Sequence, residues 1–266
     1  MQMESTEYDK MYRIEEGNWW YVGRRELLLR IVNQIKTDLE FRTFEILDVG
    51  CGTGLNLNYL EKYGSVVGLD FSGEALGFAK LRSRTPLIRA SADNLPIKNG
   101  CINMLCAFDI LEHIDDDMAA LREFYRVLNA EGYLILTVPA FRSLWSGHDI
   151  AVHHKRRYSK DELIESLLSS GFQIERISYW NFLLFPLVAL IRLVKRNRVE
   201  EISTDLQPTP YLINSILIRI LKLEALLIGR WRPPFGVSIV SVCKKAVVEN
   251  SSKEVIDDDT SKHNGS

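Results

Sequence analysis

A strand-like apolar run that breaks on three alternate glycines constrains this chain more than any other feature. The run is Ile46-Leu47-Asp48-Val49-Gly50-Cys51-Gly52-Thr53-Gly54, and a helical pattern through Leu55, Leu57 and Leu60 follows it. Glycines spaced two apart let the backbone turn sharply and let a ligand lie against main-chain atoms. A helix that starts behind such a turn offers free N–H groups. This is not the Gly-x-Gly-x-x-Gly spacing with which a helix approaches a dinucleotide pyrophosphate. Asp48, at the strand's end, would repel a pyrophosphate and suits a ligand that carries positive charge. Asp70 ends the next strand, where a carboxylate can accept both hydroxyls of a ribose.

Around that turn, short apolar runs alternate with amphipathic stretches, which predicts βαβ units on a parallel sheet. The strand candidates are 44–49, 65–69, 87–89, 102–108, 133–138, 172–178 and 236–243. A helix capped by Asp115 carries Met118, Leu121, Phe124, Tyr125 and Leu128 at helical spacing, and 129–132 supplies the turn that ends it. Ser159 and Glu162 form a capping-box signature, and Gly171 stops that second helix. The expected fold is α/β: a doubly wound, Rossmann-like, seven-stranded and mostly parallel sheet. A helical N-terminal lid and a helical insertion before the last strand complete it. Five segments follow: lid helices at 1–43, the core at 44–178, an apolar insertion at 179–235, the last strand at 236–246, and a disordered tail at 247–266.

Composition closes off several function classes. With a formal charge of -2 over 266 residues, nothing favours a nucleic-acid partner. Cys51, Cys101, Cys106 and Cys243 form no Cys-x-x-Cys pair, so neither structural zinc nor a disulfide framework is expected, and no other ligand set of metal-binding spacing stands out. A reducing, cytoplasmic setting is expected. The polar N-terminus predicts no signal peptide, and the apolar stretch 177–191 is shorter than a spanning helix needs.

The glycine turn resembles motif I of the class I S-adenosylmethionine-dependent methyltransferases. Val66-Val67-Gly68-Leu69-Asp70-Phe71-Ser72 is similar to their second motif, and Ala90-Ser91-Ala92-Asp93 to the stretch that flanks the adenine. Leu105-Cys106-Ala107-Phe108-Asp109-Ile110-Leu111-Glu112-His113 resembles the strand end beside the methionine moiety. The resemblance, to a type-11-like branch, covers most of 8–246. It implies S-adenosylmethionine as cofactor, held by Asp48, Gly50, Cys51, Gly52, Gly54, Asp70, Phe71, Ser72, Ser91, Ala92, Asp93, Phe108 and Asp109. It also implies that the last strand runs antiparallel to the others. Ser91 departs from the pattern, because many members place there an aspartate that meets the adenine amino group.

Methyl transfer needs alignment, and a base only when the acceptor must lose a proton. His154, His148 and His113 are the candidate bases. Trp19, Trp20, Arg24, Trp145, Arg156, Arg157 and Tyr158 are the candidate acceptor contacts, the arginines suiting a phosphate or carboxylate. The expected acceptor is a small molecule, a sugar or a lipid-linked compound, with oxygen favoured over nitrogen or carbon. A catalytically silent S-adenosylmethionine-binding regulatory protein and a NAD-binding oxidoreductase are the alternatives. Two readings of the insertion stay open. Its apolar helices at 182–194 and 212–228, with Lys195, Arg196, Arg198, Arg219, Lys222 and Arg230 nearby, could contact the inner face of a membrane peripherally. Alternatively they bury against the domain or in a homodimer.

Overall fold

Strands form where the chain is apolar on both faces, because helices cover both sides of the sheet. The computed structural model describes residues 5–38, 44–195, 209–228 and 231–246. Two helices lead, α1 (Ser5–Ile14) and α2 (Trp19–Asp38), followed by β1 (Phe44–Val49), α3 (Leu57–Leu60), β2 (Gly64–Asp70), α4 (Gly73–Arg82) and β3 (Leu87–Arg89). Next come β4 (Ile102–Phe108), α5 (Asp117–Val127), β5 (Leu128–Pro139), α6 (Gly147–Ala151), α7 (Lys160–Ser169) and β6 (Phe172–Trp180). Then α8 (Phe185–Lys195), α9 (Tyr211–Leu227) and β7 (Ser238–Lys245) close the described chain.

One seven-stranded sheet results, in the order β3-β2-β1-β4-β5-β7-β6. Strands β1 to β5 pair in parallel, and β7 lies antiparallel between β5 and β6. The order reverses between β1 and β4, and ligands of open α/β sheets bind outside the strand ends at such a switch point. Leu47, Leu105 and Leu136 are buried on one face with α5 and α7. Ile46, Met104 and Ile135 are buried on the other with Leu28, Val32 and Leu221.

Several boundaries move for identifiable reasons. Asp116, not Asp115, caps α5: its carboxylate accepts Ala119 N–H at 2.8 Å, and Asp115 pairs with Lys155 instead. Residues 129–132 do not cap that helix; they open β5, which begins at Leu128 opposite Ile102. Behind the glycine turn the helix is only one turn long. The first insertion helix starts at Phe185 instead of 182, so that Pro186 sits in its first turn, where its missing N–H costs nothing. The Ser159–Glu162 capping box forms as read.

The insertion divides its apolar surface. Helix α9 packs on α2 so closely that a Cβ on Gly23 would lie 2.3 Å from Leu221 Cδ1. Its other face leaves Leu212, Ile213, Ile216, Leu223 and Leu226 exposed, as α8 leaves Leu187 and Leu190. Arg196, Arg198, Arg230 and the tail from 247 lie outside the described residues, as does the side chain of Lys195. Among the described residues, no helix is long and apolar enough to cross a membrane.

Glu224 fastens α9 to the end of β6. It is fully buried and accepts Phe182 N–H at 2.9 Å and Leu183 N–H at 3.4 Å. Burial pushes its pKa up to about 7, against those main-chain donors. A raised folded-state pKa gives stability that is complete below the ordinary glutamate value and is lost as pH rises towards 7. Melts of the wild type should therefore lose up to roughly 3 kcal/mol from this group between pH 4.5 and 8. Glu224→Gln should show a correspondingly flatter profile. Parallel profiles for the two proteins would show that Glu224 ionises in place at no cost.

Candidate active site

The glycine turn is built by backbone that only glycine adopts freely. Gly50, Gly52 and Gly54 have φ of 74°, 56° and 81°, in the left-handed region. A Cβ on Gly50 would strike Ile110 Cγ1 at 2.8 Å. Gly50 N–H and Cys51 N–H both donate to Leu69 O, at 2.7 and 3.0 Å, which ties the turn to the end of β2. There Asp70 is clamped: Oδ2 accepts Gly52 N–H at 2.9 Å and Oδ1 accepts Ser72 N–H at 2.8 Å. Burial raises its pKa against these main-chain donors. Each oxygen keeps a further lone pair for a ligand.

A cavity of about 780 Å³ lies along these strand ends. Gly50, Cys51 and Gly52, Asp70, Phe71 and Ser72, Ser91, Ala92 and Asp93, and Phe108 and Asp109 all line it. The Ser91 hydroxyl donates to the Asp93 carboxylate beside it, and both residues line the cavity. Trp19, Trp20 and Arg24 line the same space, joined by Tyr8 and Met11 from α1. Helix α1 is fixed over the turn by Glu15, which is buried and takes hydrogen bonds from Thr53 Oγ1 and Arg82 Nη1. Arg24 reaches Asp109 Oδ2 at 2.5 Å, so it belongs to the wall that carries the motif residues.

Three histidines line the cavity too, His113, His148 and His154. His154 Nδ1 lies 2.8 Å from Asp149 Oδ1, and its Nε2 lies 3.7 Å from Glu112 Oε1. Asp149 is fully buried and also accepts Arg157 Nε at 2.8 Å and Ser146 N–H at 2.9 Å. Burial opposes its charge, but the His154 hydrogen bond and the Arg157 and Arg192 guanidiniums outweigh that and hold its pKa well below the ordinary range. The rings of His113 and His154 are 4.7 Å apart, edge to face. Burial and then His154 push the His113 pKa down to about 4, so its imidazole is neutral at pH 7. Burial, with Asp109 nearby, raises that of Glu112 far above the carboxylate range.

Some expected contacts fall elsewhere. Asp48 is buried behind the turn, off the cavity wall, with its pKa pushed up to about 7 by burial. Gly54 also lies off the wall; a Cβ there would meet Ala79 of α4 at 2.9 Å, so its role is packing. Trp145 does not line the cavity. Arg156 pairs with Asp117 at 2.8 Å and with the carbonyls of Ile114 and Asp115, and Tyr158 donates to the same Asp117 at 2.7 Å. Arg157 reaches the wall, but its guanidinium is committed to Asp149 and Ala140 O. Glu112, Asn181 and Arg192 are the additions at the wall. Asn181, at φ 58°, is buried at the wall, and its position in an unremarkable apolar stretch gave no signal.

Residues 47–136 match the family model described as a methyltransferase domain. Over 134 residues the chain is 28% identical to a Mycobacterium tuberculosis protein named "Probable S-adenosylmethionine-dependent methyltransferase", covering 48% of each. It is 26% identical over 228 residues to the ubiquinone biosynthesis O-methyltransferase of Xanthomonas euvesicatoria, covering 76% of this chain and 94% of that one. The chain spans about half the length of the first curated relatives it matches. Its fold is shared with a SAM-dependent methyltransferase from Thermotoga maritima at a TM-score of 0.56 and 18% identity, over 91% of this chain and 96% of the other.

Proposed function

We propose that this chain, which carries a methyltransferase domain of the class I S-adenosylmethionine-dependent kind, methylates a hydroxyl oxygen of a small or lipid-linked acceptor. The observation that carries this reading is one cavity lined both by the clamped Asp70 and by the Asp149-held His154. S-adenosylmethionine fits the first of these. The left-handed Gly50 and Gly52 leave main-chain surface bare, Asp70 keeps lone pairs for ribose hydroxyls, and Asp93 stands where an adenine amino group needs an acceptor. When bound, it supplies an electrophilic methyl on a sulfonium whose thioether leaves without needing a proton.

What the chain must add is alignment and a place for the acceptor's proton. Asp149 fixes His154 through Nδ1, which leaves Nε2 as the atom that meets the acceptor at this corner. Trp19, Trp20 and Tyr21 wall the cavity and keep water from competing with the acceptor. Resemblance to the Xanthomonas O-methyltransferase supports oxygen as the acceptor atom. Val188 and Ile191 line the cavity from α8, and Ile191 is also exposed, which supports an acceptor with an apolar part that leaves the cavity along this helix.

Formation of S-adenosylhomocysteine with a metabolite extract, followed by the mass of the methylated product, tests the reading. His154→Ala should lower that turnover by about 10²–10⁴-fold while calorimetry finds S-adenosylmethionine affinity unchanged. Unchanged turnover would remove the histidine corner from the chemistry. S-adenosylmethionine binding with no product from any acceptor would favour the silent, regulatory alternative.

A further inference from the structure

Among the described residues, Glu112 is one of two side chains, with Asn181, whose polar atoms are both buried without a partner. It is fully buried, and neither carboxylate oxygen receives a hydrogen bond from another residue. A carboxylate placed so in an otherwise well-bonded interior costs several kcal/mol unless something compensates it. Two imidazoles face it. Ligand atoms of Glu112, His113 and His154 all lie within 4.8 Å of one another. Both rings are held from behind: His154 by the Asp149 carboxylate at Nδ1, and His113 by a hydrogen bond to the main chain of His153. That outer support is how proteins fix the tautomer and aim of a metal-bound histidine, leaving the inner nitrogen as the ligand. His153 has a φ of 59°, a left-handed conformation that a non-glycine residue takes only when its surroundings impose it.

We propose that Glu112, His113 and His154 form a binding site for one divalent cation of the zinc(II) class, opening on the acceptor side of the cavity. Two imidazoles and one carboxylate suit zinc, and three protein ligands leave a coordination position for an outside oxygen. All three residues line the cavity, so that position is available to the acceptor. The inference rests on the methyl-transfer reading for its purpose, since a cation there lowers the pKa of a bound hydroxyl and takes over the proton problem assigned to His154. No sequence spacing reveals the set: Glu112 and His113 are adjacent, while His154 arrives from beyond β5.

The test uses the full chain stripped by chelator and titrated with zinc(II) alone, without any methyl donor. One equivalent should bind and raise the melting temperature. Cobalt(II) should give visible absorption bands of a nitrogen- and oxygen-ligated site. Glu112→Gln keeps the size of the side chain and removes its ionisable group, so without metal it should fold at least as stably as the wild type. Its zinc affinity should nevertheless fall roughly 100-fold, and that of His113→Ala similarly. No zinc bound by the wild type, or binding unchanged in both variants, overturns the site. Binding is read separately from turnover. If zinc binds but no product forms, the methyl-transfer reading fails alone; if product forms equally in chelated protein, the cation has no part in it.

Discussion

Asp149→Ala should lower folding stability by about 3–5 kcal/mol, the effect of removing one partner from a buried ionic network. Asp149 is fully buried, and its carboxylate holds Arg157, Arg192, His154 and the Ser146 main chain at 2.8 to 3.4 Å. Arg157 has a side chain only 1% exposed, and without Asp149 its positive charge keeps a single described partner, Ala140 O at 3.0 Å. Water cannot reach it to compensate, so the cost exceeds that of a lost surface ion pair several times over. A denaturant melt measures this directly. The same replacement releases His154 Nδ1, so turnover should fall with stability. Asp149→Asn, which keeps the shape and one acceptor oxygen, should fall between. The sign with pH follows from the depressed Asp149 pKa: its contribution is present above the ordinary carboxylate range and disappears as pH falls below it. A loss under 1 kcal/mol would mean that Arg157 swings out to solvent.

The network also shows where reading the sequence stops. The glycine turn, the strands and the Ser159–Glu162 box are legible because each is set by neighbours within a few residues. The turn needs left-handed backbone, and the box needs only a hydroxyl and an acid three residues apart. The histidine corner is different, because 112–113, 146–149 and 153–157 meet only once β4 and β5 lie side by side. Within Arg156-Arg157-Tyr158 the extended chain points alternate side chains in opposite directions. Arg156 and Tyr158 both turn to Asp117 on α5, while Arg157 turns to Asp149. Asp48 lies apart from the cavity wall for a related reason. Its place at the strand's end is right, but the chain turns at Gly50, and the carboxylate stays behind the turn while Asp70 reaches the cavity.

Asp70 therefore bears the largest expected effect on cofactor binding. Its two oxygens already hold the glycine turn and the start of α4, through Gly52 N–H and Ser72 N–H. Their remaining lone pairs are the acceptors available to ribose hydroxyls, and hydrogen bonds to a charged acceptor contribute about 1.5–3 kcal/mol each. Asp70→Ala removes those bonds and loosens the turn, so S-adenosylmethionine should bind at least about 100-fold more weakly by calorimetry. Asp70→Asn separates the two roles. Its single oxygen can keep one main-chain donor, but its amide group must face a second N–H, so it should recover only part of the affinity. The fold should survive in both variants, because β2 still pairs with β1 and β3 along its length. Circular dichroism checks that point before the titration is read. Affinity within threefold of wild type in Asp70→Ala would move the ribose away from β2. The 100-fold loss, with His154→Ala binding normally, would divide the cavity as proposed: Asp70 holds the donor and the corner around His154 meets the acceptor.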